Sequence, residues 1–112
     1  SLTPTFSAIH YDANGDSASY YEIEVNSNSS FTGTSMWDTN KSSTTVTNNS
    51  RSPDYTYAGT TLTGYSGTTY YWRIRFWDTD DNQGAWSETG TFVDLNTHLF
   101  LKGLQLKGLR IN

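Results

Sequence analysis

The segment Thr68-Thr69-Tyr70-Tyr71-Trp72-Arg73-Ile74-Arg75-Phe76-Trp77 decides the fold. Its residues alternate without a break: Tyr70, Trp72, Ile74 and Phe76 share one face, and Tyr71, Arg73, Arg75 and Trp77 share the other. A period of two places all four apolar side chains on one side of a strand, whereas a helix would spread them around its axis. The segment is therefore read as a strand with its rings inward, its arginines and Tyr71 outward, and a second sheet closing over the rings.

Working outward, the same pattern recurs between turn signals. In Tyr20-Tyr21-Glu22-Ile23-Glu24-Val25, residues Tyr21, Ile23 and Val25 face one way and Tyr20, Glu22 and Glu24 the other. Before it, Phe6, Ala8 and His10 alternate with Ser7, Ile9 and Tyr11, and the strand ends in the turn Asp12-Ala13-Asn14-Gly15-Asp16. Residues 26 to 52 are polar, with Phe31, Met36, Trp37 and Val46 as isolated anchors, and are read as weak edge strands and loops. A short strand follows at Tyr55 to Ala58, and Leu62 with the turn Gly64-Tyr65-Ser66-Gly67 leads into the deciding segment. After the loop 78 to 84 a last strand is expected from about Ala85 to Val93.

Composition narrows the class. A chain of 112 residues holds one domain with one modest core. Only 34% of its residues are hydrophobic while 15% are aromatic, so large rings must supply most of the buried area. There is no cysteine, which excludes disulfides and thiolate metal sites. The net charge of -4 disfavours a nucleic-acid partner, and no apolar run is long enough for membrane insertion. The Ser/Thr/Asn-rich, Lys-poor make-up favours an extracellular, cell-surface location. Together these features give an all-β antiparallel sandwich of about seven strands over residues 1 to 95, followed by an extended C-terminal tail over 96 to 112.

The stretch Leu62 to Phe92 resembles the fibronectin type III family, in the bacterial form found in surface proteins and beside α-L-rhamnosidase catalytic domains. The residues that carry the resemblance are Leu62, Gly67-Thr68, Tyr70, Arg73, Arg75 and Trp86-Ser87-Glu88, with Met36-Trp37-Asp38, Tyr57-Ala58-Gly59 and Tyr71-Trp72. It covers about residues 4 to 93 and departs at Ala8, where the family usually presents a tryptophan. The resemblance implies an immunoglobulin-like topology, a corner role for Tyr70, and Trp86 stacked over Arg73 or Arg75. Such modules serve as spacers, adhesion units and enzyme appendages, so the likeness is informative for fold and poor for function.

Candidate sites are few. A glycosidase needs two carboxylates facing each other in a cleft about 5–9 Å apart, and the sequence offers no such constellation; the chain is expected to be no enzyme. Tyr71 and Trp77, aromatic and outward, are candidates for a glycan or other surface ligand. In the implied topology the turn at 12 to 16 and the loop at 78 to 82 meet at one pole, where Asp12, Asp16, Asp78, Asp80 and Asn82 form a weak calcium candidate. Asp and Asn are also ordinary turn residues, Gln83 stands where a calcium loop needs glycine, and no cofactor is otherwise implied.

The tail has a different character. Leu99-Phe100-Leu101-Lys102-Gly103, Leu104-Gln105-Leu106-Lys107-Gly108 and Leu109-Arg110-Ile111-Asn112 repeat every five residues. Its three charges are all positive, leaving four cations against eleven carboxylates, a net -7, in the residues before it. Glycines interrupt it too often for a helix, and it is too apolar for a free linker. Leu99, Leu101, Leu104, Leu106, Leu109 and Ile111 are therefore candidate subunit contacts, suited to adding a strand to a sheet edge of a neighbour, with residues 26 to 52 as a plausible acceptor. An equal alternative makes the tail the start of a following region. The expected function is a non-catalytic structural module, a building block or spacer of a surface assembly or filament. The alternatives are a carbohydrate- or protein-binding adhesion module and an accessory domain of a glycoside hydrolase.

Overall fold

The computed structural model describes residues 3–62 and 67–94. Within them the chain forms nine strands: β1 (Thr5–Phe6), β2 (Ile9–His10), β3 (Ala18–Asn26), β4 (Ser35–Asp38), β5 (Ser42–Val46), β6 (Ser50–Arg51), β7 (Tyr55–Thr56), β8 (Thr68–Asp78) and β9 (Gly90–Asp94). One layer is a sheet in the order β4-β3-β8-β9, with β5 also paired to β3. The other layer consists of β1 paired with β7 and β2 paired with β6, and every pairing is antiparallel. Taking β1 with β2 and β6 with β7 as single interrupted runs leaves seven, the number of a fibronectin-like sandwich.

The interruption has a chemical cause. Phe6 lies opposite Tyr55 and Ile9 opposite Arg51, so three residues of one run cover two of the other. Pro53 falls in that gap and has no N–H to give a ladder. The Ser52 hydroxyl takes the Ala8 N–H instead, at 3.1 Å, while the Ser52 N–H returns to the Ala8 carbonyl at 2.8 Å. The continuous strand expected from Phe6 to Tyr11 is thus two short pieces with the expected alternation kept: Phe6 and His10 are buried, Ile9 and Tyr11 exposed.

The β8 segment is the two-faced ribbon its sequence implies. Tyr70 and Ile74 are buried in a core with Phe6, Ile23, Val25, Tyr57 and Leu62, and Trp72, Phe76 and Phe92 pack around it. Each such side chain taken out of water contributes roughly 1.5–3 kcal/mol. Phe6 meets Trp72 at a centroid separation of 4.8 Å and His10 meets Phe76 at 5.2 Å. The β1–β2 run therefore crosses the core in the same direction as β8.

The polar stretch 26 to 52 does hold short edge strands and loops: β4 and β5 each pair with β3 alone, with Val25 opposite Trp37 and Tyr21 opposite Ser42. One expectation needs correction. The last strand begins at Gly90 rather than Ala85. Gly84 donates to Phe76 and Ser87 to Ile74, so Ala85 and Trp86 together stand opposite the single Arg75, and the ladder is interrupted at Trp86. Regular pairing resumes where Gly90 lies opposite Trp72, and only a glycine fits there, because a Cβ would stand 2.3 Å from the indole nitrogen. The turn at 64 to 67, apart from Gly67, and the tail with its six candidate contacts lie outside the described residues.

Candidate functional site

Three features concentrate the polar chemistry. The first is the outer face of β3 and β8. Register sets Glu24 opposite Arg73 and Glu22 opposite Arg75, and both pairs close with a 2.7 Å contact from guanidinium to carboxylate. Trp86, turned outward by the irregularity before β9, stacks over both guanidiniums at 4.2 and 4.0 Å. Phe31 covers Arg73 at 4.1 Å, while Trp77 lies 5.2 Å from Arg75. Lys41 extends the series over Trp77 and Tyr20 and pairs with Asp81. Burial, then a hydrogen bond to Asp38, pushes the Glu22 carboxyl above its ordinary range, against the lowering effect of Arg75. Each cation of this face is held by a carboxylate and an aromatic ring at once.

This arrangement bears on the two aromatic candidates. Trp77 is only 7% exposed and lies beneath Lys41 and Arg75, so it offers no open ring face to a sugar, contrary to the expectation from sequence. Tyr71 is on the same outward face, half-buried, between Asn26 and Thr91 of the neighbouring strands. Sequence pattern located Trp86 and the arginines but not Phe31 or Lys41. Phe31 sits in a polar loop at φ 60°, a left-handed conformation costly for a bulky side chain, where its N–H donates to the Asn28 carbonyl and its ring covers Arg73.

The second feature is the acidic pole. The turn after β2 and the loop after β8 do meet: carboxylate oxygens of Asp12, Asp16 and Asp78 lie within 4.8 Å of one another. Burial, then the charges of Asp12, Asp80 and Asp78, holds the Asp16 carboxyl above the usual range. Asp78 is held below it, chiefly by the Asn82 N–H, against burial and with further help from the Asn82 carboxamide and the Asp80 N–H. Three of the six oxygens accept hydrogen bonds from the two loops. Asp78 accepts three bonds from its own loop, and Asp12 Oδ2 accepts the N–H groups of Asn14 and Asp16. Calcium takes roughly 6–8 oxygen ligands, and carboxylates supply only part of such a set, main-chain carbonyls and water the rest. Asn82 serves Asp78 rather than the pole's centre.

The third feature was not anticipated. A cleft of about 300 Å³ opens between the β1–β2 run and the segment preceding β9. Residues 8 to 12 form one wall, Gly84, Ala85 and Ser87 the other, and Ile74 and Phe76 lie between them. His10 lines it too, 5% exposed, its Nε2 at 2.9 Å from the Asp16 carbonyl. Nothing among these residues pairs a nucleophile with a base.

Comparison with known proteins agrees with the sandwich. No curated protein matches the chain. Among solved structures, the Streptomyces avermitilis α-L-rhamnosidase complexed with L-rhamnose superposes with a TM-score of 0.59 at 26% identity. The match covers 72% of this chain but 7% of the rhamnosidase, so the likeness concerns one small domain of a much longer protein. A family model described as the Rha78A-like, N-terminal immunoglobulin domain matches residues 2–93. With that match spanning the entire sandwich, the chain belongs to the family of Rha78A-like N-terminal immunoglobulin domains.

Proposed function

We propose that this chain is a non-catalytic accessory module of an exported glycoside hydrolase, a stiff unit that sets the position of a neighbouring catalytic domain. The observation that carries the reading is the outer face, where Arg73 and Arg75 are each bound by a glutamate and by Trp86. A surface whose charges and rings are committed to one another resists deformation and holds little in reserve for chemistry. Membership of a family defined by an N-terminal domain of rhamnosidase-like proteins supplies the neighbour. The Ser/Thr/Asn-rich surface supports export.

An immunoblot of native material with antibody to the sandwich tests this. The expected band lies far above 12.6 kDa, the mass of this chain, and aryl-glycosidase activity co-precipitates with it. A band at 12.6 kDa in denaturing gel overturns the accessory reading. Such a band from a large native particle would favour a self-assembling surface subunit instead.

A further inference from the structure

The cleft follows a sheet edge. The β1–β2 run bonds to β6 and β7 through its even-numbered residues: the carbonyls of Pro4, Ala8 and His10 accept from Tyr57, Ser52 and Asn49. Successive residues of an antiparallel ladder turn their backbone groups to opposite edges. Those of Thr5, Ser7, Ile9 and Tyr11 therefore point away from β6 and β7, to a side where no described strand pairs with them. Of the large hydrophobic residues exposed among the described residues, two stand on this run, Ile9 at 58% and Tyr11 at 70%. Sheet edges are ordinarily blunted by a charge or a proline, and neither occurs between Thr5 and Tyr11.

We propose that this edge is the docking site for one free strand of a partner polypeptide, apolar at alternate positions and basic where it passes the acidic pole. The backbone selects a strand rather than a small ring. From Thr5 to Tyr11 the edge runs about 20 Å at roughly 3.3 Å per residue, and its bare groups recur at every second residue, the repeat that another strand presents. The cleft selects the side chains. A strand paired there turns alternate residues inward, on the side of Ala8 and His10, where about 300 Å³ lies open above Ile74 and Phe76. Apolar groups gain by covering that floor.

Charge selects the end of the strand. Asp12 and Asp78 line the cleft just past Tyr11, and their carboxylate oxygens lie within 4.8 Å of one another and of Asp16. Arg75, the one cation lining the cleft among the described residues, is held by Glu22. A lysine or arginine of the incoming strand meets carboxylates that no described cation pairs. A second copy of this chain is the poorer occupant. Its own β1–β2 run turns Phe6 and His10 into its own interior, so it would match backbone groups yet place no side chain in the cleft, and each copy carries -4.

The probe is a synthetic peptide in which valine alternates with threonine and lysine stands at each end, followed by NMR on the full chain. With lysine at both ends, one reaches the pole in either strand direction. Saturable shift changes are expected at residues 5 to 11 and 84 to 87, with the amides of Ser7, Ile9 and Tyr11 exchanging at least about 10-fold more slowly. Glutamate in place of the lysines should weaken binding about 10-fold at low ionic strength, a difference that closes as salt is raised. Ile9→Pro removes a donor from the open edge, leaves the even-numbered ladder in place and should abolish binding. Ala85→Phe, which fills the cleft from an exposed position of its wall, should do the same, so the outcome does not hang on the folding of one variant. No shift at millimolar peptide overturns the proposal, as does equal binding of the glutamate peptide. Slow exchange of the three amides without peptide also overturns it: the edge then belongs to the chain itself, or to a second copy where protection grows with concentration and the chain sediments as a dimer. None of these outcomes touches the accessory reading, which is decided by the size and activity of the native protein.

Discussion

Asp16 and Asp78 stand together at one pole and respond to pH in opposite senses. The Asp16 carboxyl is raised, so the fold prefers it protonated, and its contribution to stability is lost as pH rises through its folded value. Asp16→Asn removes that repulsion; melting followed by near-UV circular dichroism should shift up by a few degrees at neutral pH, with the gain fading below the ordinary carboxylate range. Asp78 is lowered, so its contribution is present at neutral pH and is lost as pH falls through its folded value. Asp78→Ala should therefore lower the melting point at neutral pH and cost progressively less in acid. Both variants moving the same way at neutral pH would contradict the geometry of the pole. On the outer face, Trp86→Ala removes a ring shared by Arg73 and Arg75, and urea unfolding should register a loss of about 2 kcal/mol.

Among the elements, β8 and β3 were legible because their alternation is unbroken: Ile74 and Ile23 lie opposite each other in the core while Arg73 faces Glu24 outside. The short elements were less so, for a reason visible in single residues. Trp86-Ser87 reads as a continuing strand, yet Ser87 Oγ accepts the Ile74 N–H at 3.0 Å, replacing a main-chain acceptor with a side chain. That substitution is what lets an extra residue into the run and turns Trp86 out. Sequence periodicity carries no trace of it, because a serine next to a tryptophan has many ordinary uses. Ser87→Ala should leave the Ile74 N–H without this acceptor and cost about 1–2 kcal/mol. Ser87→Thr, which keeps the hydroxyl, should recover most of that stability in the same urea titration. The calcium candidates were legible as neighbours, since Asp12, Asp16 and Asp78 do converge, but how Asp78 spends its oxygens on its own loop could be read only from the structure.

At the scale of the molecule, charge is distributed so that the sandwich and the tail oppose one another. Residues before the tail carry -7, and a compact body of one sign is destabilised by its own repulsion. That figure already counts the four cations of the sandwich, of which Arg73 and Arg75 are each engaged by a nearby glutamate and Lys41 by Asp81. Relief must come from salt or from the three cations of the tail. Screening acts over about 10 Å at 0.1 M ionic strength, the scale of the acidic pole. A chain ending at residue 97 should therefore gain melting temperature steadily as sodium chloride is added. The full chain, whose three further cations bring the net charge to -4, should begin higher and gain less. If the two chains rise in parallel from the same starting point, the tail does not neutralise the sandwich.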